Sequence, residues 1–163
     1  MQRIILTAIL CLSSGTGIAQ VAPAERNATE QEIAGDWQLV PLPSALQPPF
    51  IKNDPWPAKC QWYSYSGNGE LKSINKLREP CDTANAAQLD QAFREVPAVM
   101  SWKYVMNTEY QKPAIFVTRS DVKKYLEIWE QHIVATPFVK GGVEFAQGDL
   151  LLYLANLQTH QRV

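Results

Sequence analysis

The stretch "CQWYSYSGNGELKSINKLREPC", residues 60–81, decides the fold. Gln61 to Ser66 are rich in aromatics, and Glu70 to Leu77 form a second strand-like run. Between them lies Gly67-Asn68-Gly69, residue types that accept the positive φ angles of a tight turn. The segment therefore reads as a β-hairpin. Cys60 and Cys81 fall near its open end, where a disulfide would tie it shut.

Working outward, β patterns recur on both sides. Trp37 to Val40 read as a short strand, preceded by "ATEQEIAGDW", in which Thr29 and Glu32 have capping-box spacing. Downstream, 99–107, 114–119, 123–135, 138–146 and 149–157 read as strands, separated by turn signals such as Gly141-Gly142 and Gln147-Gly148. One segment breaks the pattern. In 84–96, capped by Asp82 or Thr83, residues Ala86, Leu89, Phe93 and Val96 recur at helical spacing, and Pro97 stops the run. Between Pro41 and Pro57, six prolines exclude a helix or a central strand. Phe50, Ile51 and Trp56 make this segment an apolar loop, read as a lid or a plug. About eight short strands with one helix predict a mainly β chain, an antiparallel barrel or sandwich.

The N-terminus carries a targeting signal. "MQRIILTAILCLSSGTGIAQ" runs from Arg3 through an apolar stretch, Ile4 to Leu12, to small residues ending at Ala19. That is the order of a secretory signal peptide. The apolar run is about nine residues, whereas a spanning helix needs roughly 20, so no membrane span is expected. Leu10 before Cys11 is not the small residue that lipidation requires. The expected organisation is a signal peptide at 1–19, a flexible lead-in at 20–31 and a single β domain at 32–163. Localisation is then periplasmic or secreted. Cys60 and Cys81 are the two cysteines beyond the leader, and an even count in an exported chain reads as one disulfide.

Composition limits the function. The chain of 163 residues is 46% hydrophobic and 19% charged, with a net charge of −1. That supports one core, and no clustered basic face points to nucleic acid. No Gly-x-Ser-x-Gly, phosphate loop or Cys-x-x-Cys is present. His132 alternates with Glu130 on one strand, but a metal site normally needs three or four ligands, so no metal, cofactor or catalytic residue is assigned. The chain is read as non-enzymatic. Aromatic residues, in contrast, are plentiful, with five tryptophans and six tyrosines. Binding pockets are apolar cavities with a few polar tips. Trp37, Trp62, Trp102, Tyr104, Trp129 and His132 are the residues expected to line one.

With this order of elements, Gly35-Asp36-Trp37 resembles the Gly-x-Trp signature of the lipocalin and wider calycin group, which opens the first strand of an eight-stranded up-and-down barrel. The resemblance implies a lipocalin-like barrel holding a small apolar or amphipathic ligand. Two features depart from that family: the helix lies mid-chain rather than after the last strand, and no clear Thr-Asp-Tyr motif follows. The alternative is a solid barrel that acts as a protein-interaction module, an inhibitor or accessory subunit with another envelope protein as partner.

Overall fold

A computed structural model describes residues 2–7, 23–40, 60–76, 86–108 and 111–158. The proline-dense segment, Cys11, Cys81, Asp82, Thr83 and most of the stretch read as a leader lie outside the described residues. The core is a closed eight-stranded barrel. Its strands are β1 (Gln2–Thr7), β3 (Gly35–Val40), β4 (Cys60–Tyr65), β5 (Glu70–Lys76), β6 (Met100–Asn107), β7 (Lys112–Arg119), β8 (Leu126–Val134) and β11 (Leu150–Gln158). A short strand, β2 (Glu25–Asn27), pairs on β8. A separate hairpin, β9 (Phe138–Lys140) with β10 (Val143–Phe145), stands between β8 and β11 in sequence.

The predicted hairpin forms as β4 and β5, in register from Cys60↔Lys76 to Tyr65↔Leu71. Its turn differs in detail from the expectation. Of the two glycines only Gly69 has positive φ, at 87°. The Asn68 side chain accepts a hydrogen bond from the Glu70 amide and contacts Ser66 Oγ. A helical-type turn closed by one left-handed glycine is a common way to join strands with their twist intact. Gly141 and Gly142 both take positive φ, the requirement of a tight two-residue hairpin. The run 138–146 therefore becomes the β9–β10 hairpin rather than a barrel strand. Its Phe138 and Phe145 rings stack at 4.6 Å and cover Val134 and Leu151 on the outer wall.

Pairing is antiparallel from β3 through β8 to β11, as expected. The purely antiparallel expectation is corrected at one seam: β1 runs parallel to both of its neighbours, β3 and β11. Seven meandering strands leave the first and last pointing the same way, so a strand between them that runs with both is parallel twice. The residues that form β1 fall within the stretch read as a leader.

Within 20–31, the segment read as a flexible lead-in, the described residues hold β2 and the N-cap of α1 (Glu30–Ile33). The capping box forms as its spacing predicts, with Thr29 and Glu32 bonded reciprocally. Arg26 forks onto the Glu32 carboxylate. That pairing, followed by the Thr29 amide, holds Glu32 down at about 2. The second helix, α2 (Ala86–Glu95), lies within the predicted 84–96. It docks Leu89 and Phe93 on Cys60, Trp62 and Ile74 outside the barrel. Each such buried side chain contributes about 1.5–3 kcal/mol.

Candidate functional site

Strand alternation divides the wall into two faces. The inner face carries the main core: Trp37 and Leu39 from β3, Tyr63 and Tyr65 from β4, Trp102 from β6, Ile115 and Val117 from β7, Trp129 and Ile133 from β8, and Leu150 and Leu152 from β11. Ala28 and Ile33, on either side of the capping box, are buried in the same cluster. The segment before β3 is thereby folded onto the barrel interior.

The structure brings together four of the six residues expected to line a pocket. Trp37, Trp102 and Trp129 belong to this inner core, and Tyr104 packs against it. Their polar atoms are already committed to the protein. Trp37 Nε1 donates to the Ile33 carbonyl at 2.8 Å. Trp102 Nε1 donates to the Ser66 carbonyl at 2.9 Å. Tyr104 Oη donates to the Ala28 carbonyl at 3.2 Å. Trp129 Nε1 donates to Glu127 Oε2 at 2.9 Å. Gly35 earns its place beside Trp37 through its backbone, at φ 137°, where a Cβ would stand 3.0 Å from the Gln2 side chain.

Two expected residues lie elsewhere. Trp62 points out of the barrel and is buried under α2. His132 also faces outward. Its Nδ1 lies 3.6 Å from Glu25 Oε2, which accepts from Tyr153 Oη at 2.8 Å. Burial pushes the His132 imidazole below its ordinary range, outweighing the opposite pull of Glu25 and Glu130. Among the described residues no three His, Cys, Asp or Glu side chains converge on a metal-sized site.

Sequence reading missed the polar groups of the inner face. Gln131 sits between Trp129 and Ile133 in the inward phase of β8, opposite Leu152 of β11. It is 1% exposed, and neither atom of its amide has a hydrogen-bond partner among the described residues. Its backbone carbonyl is taken by the Ala28 amide. Gln61, 7% exposed and in phase with Tyr63 and Tyr65, has no partner for its Oε1 among the described residues. Leaving such groups buried without partners costs about 1–3 kcal/mol each. The signal was present in the order Trp129-Gln131-Ile133, a polar residue in the buried phase of an alternating strand.

A charged group completes this face. Glu127, two residues before Trp129, accepts from Tyr125 Oη and Trp129 Nε1. Arg119 lies over the Tyr125 ring at 5.5 Å and is held by Asp121. Burial, then the bond to Glu127, pushes the Tyr125 phenol up, and burial with the Glu127 charge does the same to Tyr65. Both phenols therefore stay protonated, as donors or dipoles rather than as bases.

Outside the barrel, a cleft of about 300 Å³ lies between α2 and the wall, with Asp36, Glu70 and Asp90 facing Lys72 and Arg94. Lys72 Nζ donates to the Phe93 carbonyl at 3.0 Å, which fastens the end of α2 to β5. No helix among the described residues is long and apolar enough to cross a membrane. No family model, curated protein or solved structure matches the chain.

Proposed function

We propose that this is an exported, lipocalin-like binding protein that holds a small amphipathic molecule inside the barrel. The observation that carries the reading is Gln131: a side-chain amide at 1% exposure whose donor and acceptor have no partner among the described residues. A neutral amide offers one oxygen and two N–H donors. It suits a guest with a carbonyl or hydroxyl head, and the surrounding Trp129, Ile133 and Leu152 suit an apolar body. Buried waters can satisfy such groups too, so the test must separate water from guest. Export rests on the leader composition of residues 1–19, and the disulfide between Cys60 and Cys81 follows from export. Cys60 is fully buried on β4 under α2.

The aromatic residues act as scaffold in this reading, and Gln131 with Gln61 supply the recognition. The test titrates the purified protein with long-chain alcohols and amides while following indole fluorescence. Saturable quenching that Gln131→Met removes is the expected result. Equal response of the two proteins would overturn the reading.

A second reading, the non-enzymatic interaction module, is favoured by the way Trp37, Tyr65, Trp102 and Trp129 fill the inner face. It predicts no response to either probe and a partner on the outer wall.

A further inference from the structure

The seam between β3 and β11 is built differently from every other joint in the barrel. Its filler, Gln2–Thr7, is remote in sequence from both neighbours and parallel to both. Ile4 is fully buried between Leu39 and Leu150, with which it is in register. Arg3 reaches outward, where its Nε lies 3.7 Å from Asp149 Oδ1 and its Nη2 donates to the Glu144 carbonyl at 3.4 Å. Asp149 is 4% exposed, and its other oxygen accepts the Ala146 amide. A buried carboxylate that loses its cation is strongly destabilising.

We propose that this seam is an exchangeable strand-acceptor site, and that it takes an extended segment of a partner protein carrying a basic residue followed at once by an aliphatic one. The proposal rests on the export reading in one respect: removal of a leader at 1–19 would vacate the seam. The vacancy would be one strand wide, about 10 Å between β3 and β11. It would present two free ladder edges, an aliphatic hole between Leu39 and Leu150, and the buried carboxylate of Asp149. Main-chain bonds to the two edges supply affinity, as in other cases of strand addition. The hole and the carboxylate supply selectivity, because only a cation next to an inward aliphatic side chain fills both. The chain's own Arg3-Ile4 pair is the pattern that fits.

The experiment uses the full chain, folded intact, with a specific protease site placed within residues 8–22. After cutting, a fluorescent peptide carrying residues 2–7 is added and its anisotropy followed. The expected result is uptake of the labelled peptide with release of the original strand. Unlabelled peptide should compete at least tenfold better than the same peptide bearing Arg3→Glu, and Asp149→Asn should erase that preference. Three results would overturn the proposal: a cut chain that never exchanges its strand, one that loses the strand and binds no peptide, or one whose β-sheet circular dichroism collapses on cutting. Intact mass of the protein isolated from the cell envelope tests the leader separately. A mass that includes residues 1–19 removes the export reading and leaves the exchange result standing.

Discussion

Two sets of polar side chains share the inner face of this barrel and are treated in opposite ways. The indoles of Trp37, Trp102 and Trp129 and the phenol of Tyr104 each donate a hydrogen bond to a carbonyl or carboxylate of the protein. The side-chain amide of Gln131, at equal or deeper burial, has no hydrogen-bond partner among the described residues. Buried polar groups are nearly always bonded. The aromatic set is completed structure; under the proposed function, the glutamine is the group left for a guest.

The sharpest way to break this comparison is to delete one member of each set. Trp37→Ala removes a fully buried indole and its bond to Ile33, and should cost about 3–5 kcal/mol in chemical unfolding. Gln131→Met keeps the volume and removes the unsatisfied groups. It should stabilise the guest-free protein by about 1–3 kcal/mol. Opposite signs at two neighbouring kinds of inner-face position are the expected signature, and a destabilised Gln131→Met protein would show that the amide has partners after all.

Smaller effects concern the segment folded onto the interior. Thr29→Ala breaks the capping box beneath Ile33 and should cost about 1 kcal/mol, read from the shift in thermal midpoint. Glu32 is lowered in the fold, so its stabilising contribution is complete above the ordinary carboxylate range and is lost as pH falls toward about 2. Glu32→Gln should flatten that acid limb. The smallest effect belongs to His132 on the outer wall. Its imidazole is lowered by burial, so the neutral form is favoured in the fold. No penalty exists above its ordinary range, and one grows as pH drops below it. His132→Asn should therefore raise stability at pH 5 relative to pH 8, measured by melting at both.

The frame of this molecule is written in local chemistry. The β4–β5 hairpin and α2 were legible because turn glycines and helical spacing are short-range signals. Trp62 was misplaced because β4 is covered on both sides: α2 buries its outer residues and the barrel buries the inner ones, so the usual alternation disappears. β1 was hidden because an apolar run after a basic residue has the composition of a leader, and its partners are distant in sequence: Ile4 pairs with Leu39 on one side and with Leu150 on the other. The place of Gln131 depends on the phase of β8, which Trp129 and Ile133 announce, and on the absence of a partner among the described residues, which is a property of the fold and not of the strand.

Whether the barrel holds a guest is read by native mass spectrometry of the protein taken from its producing cells without organic extraction. A small mass should travel with the folded chain, be released on denaturation and be absent from Gln131→Met. A folded wild-type chain that flies bare, alongside a Gln131→Met variant no more stable than wild type, would contradict the proposed function.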